Sequence, residues 1–275
     1  MKARGWFEKS AEAAIRLSAF TAILSLFLIF VFIGKEALPV LTSHTVREEA
    51  GLSKLFVGQE GARAHSWQPV SSVPKYSLWP LFIGTLKVTI VAMLFALPLA
   101  LGAALFTSEF APDWLKEVVK PVIELLSGIP SVVLGFFALM IMADHVQSLL
   151  GIPYRLNAIN AGIALGLAVI PIVFTMADDA LNAVPKSFRE ASIAMGASPW
   201  QTASRVVFPA ALPGILAACI LGFGRAIGET MIVLMSSGNA AIMTWAFQKP
   251  VRSLSATVAA ELGEVVVGSP HYHVL

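Results

Sequence analysis

Residues 182–213 read NAVPKSFREASIAMGASPWQTASRVVFPAALP, a polar stretch between two long apolar runs. They predict two short helices joined by a tight corner. Pro185 is tolerated in the first turn of a helix, and Gly196 suits the left-handed position after a helix end. The tetrapeptide that begins at Ser198, SPWQ, is a capping box with proline at the first helical position. Pro209, and the proline four residues after it, are expected to end the second helix. We interpret this bent polar loop as a surface that a partner binds.

The composition of the whole chain indicates a membrane protein. Of its 275 residues, 57% are hydrophobic and only 13% are charged, and the mean hydropathy is +0.77. A soluble domain has nearer a quarter of charged residues. The net charge of +2 gives no reason to expect nucleic acid as a partner, and the single cysteine, Cys219, excludes a disulfide framework. The sequence therefore predicts an all-α polytopic membrane protein.

Five apolar runs are long enough to cross a bilayer, which takes about 20 helical residues. They cover residues 17–34, 88–107, 125–143, 156–177 and 213–236. Lys87 precedes the second run and is expected to extend its side chain to the membrane boundary. Gly162 and Gly166, in the fourth run, have the spacing of small residues that lets two helices pack closely. The chain ends where a sixth run would return it, so we expect the final helix to be truncated.

Two regions follow from this pattern. Residues 1–77 hold the N-terminal tail, the first span and an external segment, and residues 78–275 form the main transmembrane domain with the 182–213 loop. Lysines and arginines are slightly denser in the segments on the side of the N-terminus. Because positive charge favours the cytoplasmic side, the N-terminus is predicted to be cytoplasmic.

The fifth span contains the most informative polar residues of the chain. Residues 222–230 read GFGRAIGET. A charge at the bilayer centre costs at least about 2.5 kcal/mol, so such charges normally face a pathway or a bundle interior. Arg225 and Glu229 are four residues apart and can pair on one helix face, and the glycines allow close packing or local unwinding. A guanidinium suits a phosphate-like oxyanion. We predict a substrate pathway at Arg225, Glu229 and Thr230, with a pair that only fixes helix packing as the alternative.

A second polar motif opens the third apolar run, where residues 127–131 read SGIPS. The hydroxyls of Ser127 and Ser131, with backbone N–H groups freed near Gly128, could meet an anion at a broken helix. The alternative is an ordinary helix start with proline in its first turn. We include these three residues in the predicted pathway.

Other chemistry finds little support in the sequence. The five histidines fall in predicted external segments, where His271 and His273 are expected to be solvated, and no metal site is predicted. No phosphate-binding G-x-x-x-x-G-K-[ST] loop, H-E-x-x-H motif or G-x-S-x-G motif occurs. We therefore expect a protein that is not an enzyme, carries no cofactor, and leaves the binding of ATP and Mg to another subunit.

The 182–213 loop also carries a family resemblance. Glu190-Ala191-Ser192, three residues, Gly196, nine residues and then Val206-Val207-Phe208-Pro209 resemble the EAA loop of ABC-importer permeases, whose pattern is EAA, three residues, G, nine residues, I-x-L-P. In that family the loop docks into a groove on a separate ATPase. The resemblance implies coupling roles for six residues, which are Glu190, Ala191, Ser192, Gly196, Val206 and Pro209. Four spans precede the loop, so a cytoplasmic ATPase again implies a cytoplasmic N-terminus.

Three further stretches narrow the resemblance. Residues 125–135 (LLSGIPSVVLG), 224–231 (GRAIGETM) and 66–69 (SWQP) look like the phosphate-import permeases of the PstC type. The resemblance implies an ABC type-1 (MetI-like) transmembrane domain in the inner membrane that moves inorganic phosphate by alternating access. The implied partners are a second permease of the PstA type, an ABC ATPase dimer, an extracytoplasmic phosphate-binding protein and membrane lipid. A permease for another oxyanion, such as molybdate or sulfate, and a membrane sensor subunit are the alternatives.

Overall fold

The computed structural model describes residues 2–57 and 65–275, so residues 58–64 of the predicted external segment lie outside the described residues. The first part of the chain is a long helix followed by short elements. These are α1 (Lys2–Ala37), α2 (Pro39–Thr42), α3 (His44–Ala50), α4 (Leu52–Phe56) and the antiparallel pair β1 (Trp67–Gln68) and β2 (Lys75–Tyr76).

The remainder is helical. In chain order the helices are α5 (Trp79–Glu109), α6 (Asp113–Ser127), α7 (Ser131–Phe137), a π turn (Ala138–Met142), α8 (Ala143–Leu150), α9 (Ala158–Asn182), α10 (Lys186–Ala194), α11 (Pro199–Thr202), a second π turn (Ala203–Val207), α12 (Phe208–Gly228), α13 (Met231–Ser236), α14 (Leu254–Glu261) and α15 (Pro270–Val274).

Four helical stretches among the described residues are long and apolar enough to cross a membrane. They are Ala11–Thr42, Trp79–Glu109, Ser131–Leu150 and Ala158–Asn182. A fifth candidate is a bent pair, Pro199–Ala210 with Leu212–Gly228, whose halves meet at 69°. The predicted all-α polytopic fold is confirmed, with up to five spans visible.

Two of the predicted span boundaries are wrong. The third span begins at Ser131 and not at residue 125, because α6 is a separate helix that ends at Ser127. The fifth span does not run unbroken over residues 213–236. Its helix starts before Pro213 and ends at Gly228, and α13 is a separate short helix.

The core of the bundle is the contact between α5 and α9. Small residues on α9 bring the two helices together, as the spacing predicts: a side chain at Gly166 would come within 2.7 Å of the Phe95 ring, and one at Gly162 would overlap Val91. On α12, Gly222 similarly faces Val173 of α9, where an added Cβ would lie 2.5 Å from the valine methyl. Helices α5, α9 and α12 therefore form a tight three-helix core.

Residues 237–253 form an irregular segment between α13 and α14, at the end of the bundle where α5 begins. Lys87 is fully buried, and its Nζ donates to the carbonyls of Thr244 (3.1 Å) and Ala246 (2.9 Å). The prediction that Lys87 reaches the membrane boundary is wrong, because these carbonyls hold its ammonium inside the protein. The 237–253 segment is thus fastened to α5 by a buried cation.

A polar cluster fastens the C-terminal residues to the same end. The Glu261 carboxylate accepts hydrogen bonds from Trp67 Nε1 (3.0 Å) and from Arg252, and lies 2.9 Å from His271 Nε2. His273 Nδ1 lies 2.6 Å from the carbonyl of Glu36. The expectation that both histidines are solvated is therefore wrong, since one ring nitrogen of each imidazole contacts a protein oxygen.

Candidate functional site

The corner of the 182–213 loop follows the local chemistry of its residues. Helix α10 starts directly after Pro185, and Gly196 has a φ of +86°, the left-handed conformation that glycine adopts without strain. The capping box is complete: Gln201 N donates to Ser198 Oγ (3.3 Å), and Ser198 N donates to Gln201 Oε1 (2.8 Å). The predicted two-helix corner is confirmed.

The expected end of the second helix at its prolines is wrong. The chain continues from α11 through the π turn into α12, and both Pro209 and Pro213 lie inside α12. Proline is tolerated in the first turn of a helix and bends the chain when it lies further in. The prolines therefore produce the 69° bend between the loop and the fifth span instead of a stop.

The outer surface of the loop is apolar and uncovered. Large side chains of both helices are exposed, namely Phe188, Ile193, Met195 and Trp200. Among the six residues with predicted coupling roles, Glu190, Ala191, Gly196 and Pro209 are exposed, while Ser192 and Val206 are half-buried. Ser192 Oγ lies 2.9 Å from Thr202 Oγ1 and so joins the two helices of the corner. Four large exposed apolar side chains within 13 residues leave this part of the loop unusually apolar for a surface.

The inner side of the loop is anchored by Arg189, which the sequence analysis did not single out. Its Nη2 lies 2.6 Å from Glu109 Oε1 at the end of α5, and its Nε lies 3.1 Å from Glu109 Oε2. The same guanidinium donates to the carbonyls of Leu181 (2.9 Å) and Val184 (2.7 Å) at the end of α9. One side chain of α10 is thus bonded to the ends of two spans.

The fifth span breaks where the sequence places its charges. Helix α12 ends at Gly228, Glu229 is extended with a ψ of 134°, and α13 begins at Met231. Arg225 Nη2 lies 3.7 Å from Glu229 Oε2, so the predicted ion pair is present. The Glu229 carbonyl, freed by the break, accepts a hydrogen bond from Ser255 Oγ at 2.8 Å. This is the arrangement of a discontinuous membrane helix with polar groups at its break.

The two charges of this pair have different surroundings. The Glu229 side chain is 6% exposed, whereas the Arg225 side chain is 41% exposed. Gly224 and Gly228 share the open face of α12, with no atom within 4 Å of an added Cβ. In the described part of the chain, the guanidinium face is therefore covered by no other helix. Because a charge at membrane depth needs water or protein around it, this face must meet one of the two.

A shallow cavity of about 590 Å³ adjoins the break. Thr230 and Ser255 contribute its polar wall, and its other lining residues are Val258, Ala259, Leu262 and Gly263. Thr230 Oγ1 lies 3.4 Å from the carbonyl of Gly228, a long hydrogen bond. Thr230 therefore lies on the open side of the break, next to an uncovered surface of α14.

The SGIPS motif is divided between two helices. Ser127 ends α6, is exposed, and its Oγ donates to the carbonyl of Glu124 at 2.6 Å. Ser131 begins α7 and is half-buried, and Gly128 between them is exposed. Helix α7 packs on α13 through Gly135, where an added Cβ would lie 3.1 Å from the carbonyl of Met231. The structure therefore places α7 against the helix that follows the Glu229 break, while Ser127 lies at the end of α6, where its hydroxyl bonds its own helix.

Comparison with known proteins identifies the family. Residues 96–249 match the model of the family described as binding-protein-dependent transport system inner membrane component. A probable ABC transporter permease protein YqgH of Bacillus subtilis is 34% identical over 266 residues, 97% of this chain and 81% of that protein. The phosphate transport system permease protein PstC of Xylella fastidiosa is 30% identical over 242 residues, 78% of this chain and 74% of that protein.

The fold has a solved counterpart as well. An inward-facing structure of the MetNI methionine ABC transporter contains a chain with a TM-score of 0.53 and 22% identity, covering 68% of this chain and 82% of that chain. This similarity supports the MetI-like transmembrane fold alone. Together with the family match and the membrane-spanning helices, it shows that this chain is a multi-pass inner-membrane protein and belongs to the family of binding-protein-dependent transport system inner membrane components, the permeases of ABC importers.

Proposed function

We propose that this chain is a permease subunit of an ATP-driven importer of inorganic phosphate. The observation that carries the proposal is the Arg225–Glu229 pair at a helix break, with the guanidinium on an uncovered face. Several relatives at about 30% identity are phosphate permeases of the PstC type, which supports the same substrate. The second permease, of the PstA type, would cover the open face of α12 and close the pathway.

The pair also favours phosphate among the tetrahedral oxyanions. A guanidinium binds any of them through two oxygens. Near neutral pH inorganic phosphate is a mixture of hydrogenphosphate and dihydrogenphosphate, so it always carries at least one proton, whereas sulfate carries none. A buried carboxylate such as Glu229 can only accept hydrogen bonds, so it accepts one from phosphate and repels sulfate. We infer selection for an oxyanion that retains a proton.

The 182–213 loop would transmit the work of ATP hydrolysis. An ABC ATPase dimer, which binds ATP and Mg, would bind the loop at the exposed apolar side chains of Met195 and Trp200. Through its hydrogen bonds, Arg189 would transmit the movement of the loop to α5 and α9. The bend before α12 would transmit it to Arg225, whose guanidinium would then face the other side of the membrane. This assignment makes the loop and the N-terminus cytoplasmic, and places an extracytoplasmic phosphate-binding protein at the opposite end.

Reconstitution tests the proposal directly. The chain would be co-purified with its ATPase, second permease and binding protein, placed in vesicles, and assayed for ATP-dependent uptake of labelled phosphate. We expect uptake that excess unlabelled phosphate abolishes and excess sulfate does not. Stronger competition by sulfate or molybdate would assign another oxyanion. ATP-independent signalling that persists with Arg225 and Glu229 both neutralised, without any uptake, would instead identify a sensor subunit.

A further inference from the structure

A polar cavity lies away from the Arg225 site, at the base of the 182–213 loop. It has a volume of about 360 Å³ and is lined by Ser108, Lys116, Asn182, Lys186, Arg189 and Glu190. Three of the six lining residues are cations and one is an anion. The cavity lies between the end of α5, the amphipathic helix α6 and the start of α10, so it joins two membrane elements to the loop.

The cations of this cavity retain unused hydrogen-bonding capacity. Lys186 is exposed, and within residues 2–57 and 65–275 its ammonium has no hydrogen-bond or ion-pair partner. Lys116 Nζ makes one long contact, 3.4 Å to the carbonyl of Ser108. Arg189 has five N–H donors, and its bonds to Glu109, Leu181 and Val184 use four of them. The guanidinium is therefore held rigidly while one donor on Nη1 remains.

The position of the lysine on α6 indicates the side on which the cavity opens. The exposed apolar residues of α6 form one stripe, with Trp114, Val118 and Val122 at intervals of four. Lys116 and Lys120 lie together on a different face of α6. From that face Lys120 pairs with Asp178 of α9 at 2.5 Å. The apolar stripe on the other side of α6 suits the lipid boundary. Lys186 and Glu190, which line the cavity, are exposed, so the cavity opens to the surface of the chain.

We propose that this cavity binds a phosphate-type oxyanion from the aqueous side and that it is separate from the transport pathway. An anion there would bridge Lys116 on α6 to Lys186 on α10, beside the fixed guanidinium of Arg189. Such a bridge restrains α10 against the membrane helices. Because the loop must move with the ATPase during each cycle, phosphate that accumulates in the cytoplasm would slow further import. This regulatory role rests on the proposed function and on the cytoplasmic position of the loop. The binding of an oxyanion in the cavity depends on neither.

Binding of inorganic phosphate to the purified full-length chain tests the site. Titration calorimetry in zwitterionic lipid nanodiscs, on an Arg225→Gln background that removes the pathway cation, isolates the cavity. We expect Lys116→Gln or Lys186→Gln to weaken binding about tenfold, the effect of one charge-assisted hydrogen bond. Arg205→Gln is the matched control, since Arg205 is an exposed cation of the same loop outside the cavity. Equal affinity in all of these proteins, or no binding, would overturn the site.

Two further arms identify the source of the oxyanion and its effect. In the reconstituted importer, phosphate preloaded on the ATPase side should lower the initial rate of uptake. The ratio of the rate with preloaded phosphate to the rate without it should rise toward one in Lys116→Gln but not in Arg205→Gln. A contrary outcome is weaker binding of phosphatidylglycerol in Lys116→Gln than in the Arg225→Gln parent, while binding of inorganic phosphate is the same in both. In that case the group bound is a lipid headgroup, and the feedback role is overturned. A complex without any uptake contradicts the proposed function, and the calorimetry still decides on the cavity.

Discussion

Arg189 and Glu109, 80 residues apart in the chain, form an ion pair in which two guanidinium nitrogens face one carboxylate, with Nη2 2.6 Å from Oε1. The side chains are 21% and 9% exposed, so solvent screens the pair only partly. Loss of one partner leaves a half-buried charge without compensation, which costs about 1–3 kcal/mol. The pair joins the first helix of the 182–213 loop to the end of the second span.

Glu109→Ala should therefore separate ATP hydrolysis from transport. We expect the free energy of unfolding in detergent to fall by about 1–3 kcal/mol, and the amount of phosphate imported per ATP hydrolysed to fall as well. The double variant with Glu109→Ala and Arg189→Ala should lose less stability than the sum of the two single variants, because the pair between them is lost only once. Arg205→Gln removes an exposed charge from the same loop and should change stability by less than about 0.5 kcal/mol. An unchanged transport ratio in Glu109→Ala would show that the pair carries no motion.

Arg225→Gln should lower phosphate uptake by roughly 10- to 100-fold, because a charge-assisted hydrogen bond contributes about 1.5–3 kcal/mol. ATP hydrolysis by the assembled complex should persist. Arg225→Lys keeps the charge and loses the planar fork, so we expect an intermediate uptake. Normal uptake in Arg225→Gln, measured beside an intact ATPase rate, would contradict a role for this residue in the pathway.

Local chemistry was enough to predict the corner of the 182–213 loop. The left-handed conformation at Gly196 and the capping box at Ser198 depend only on neighbours within four residues. Pro209 was misjudged because the effect of a proline depends on whether the chain continues as a helix, and packing of the next span decides that. The α6 helix was missed for a related reason. Its charged residues lie three and four positions apart on one face, and without the contacts of that face to α9 the polar stretch resembles a connector between two spans.

The missed contacts are those between residues distant in the chain. The carbonyls that hold Lys87 lie 157 and 159 residues later, and Arg189 meets a carboxylate 80 residues earlier. Neither pairing has a spacing signal, because each depends on which ends of the helices lie together. The Arg225–Glu229 pair was predictable since its partners are four residues apart on one helix, although the break at Glu229 was suggested only by the neighbouring glycines.

Lys87→Met should loosen the 237–253 segment. The substitution removes the donor to the carbonyls of Thr244 and Ala246, and also a cation 5.9 Å from the centre of the Phe247 ring. Thr244 is half-buried and Ala246 is exposed, so losing the donor to their carbonyls costs at most about 1–3 kcal/mol each, whereas removing a buried charge returns part of that cost. We therefore expect a small change in global stability and a clear increase in hydrogen exchange of residues 237–253.

Lys249→Met is the control for this prediction, since Lys249 belongs to the same segment and its side chain is exposed. Its exchange pattern should match that of the unmodified protein. If Lys87→Met also left exchange unchanged, the ammonium would not be what holds the segment in place.

Tyr76 makes the stability of the end of the bundle where α5 begins depend on pH. Burial of the phenol, together with its hydrogen bond to Glu49 (2.9 Å) and the charge of that carboxylate, raises the pKa of Tyr76 above its ordinary value of 10.0. Because the folded-state pKa is raised, the stabilisation is complete below pH 10 and is lost as the pH rises above it. The difference in ultraviolet absorbance between the unmodified protein and Tyr76→Phe should show tyrosinate only well above pH 10. Ionisation near pH 10, with equal alkaline stability of the two proteins, would contradict this arrangement.

Two glycines of α5 provide a matched pair for testing how the 237–253 segment docks. An alanine Cβ at Gly84 would overlap the carbonyl oxygen of Arg252, whereas one at Gly102 would meet no atom within 4 Å. Gly84→Ala must therefore move the backbone beside Arg252, which carries the guanidinium that pairs with Glu261. We expect a loss of about 1–3 kcal/mol from overpacking, with faster hydrogen exchange around Arg252. Gly102→Ala should leave stability unchanged or raise it by up to about 1 kcal/mol, since alanine favours helix. Equal effects at the two positions would mean that the segment does not rest on α5 at Gly84.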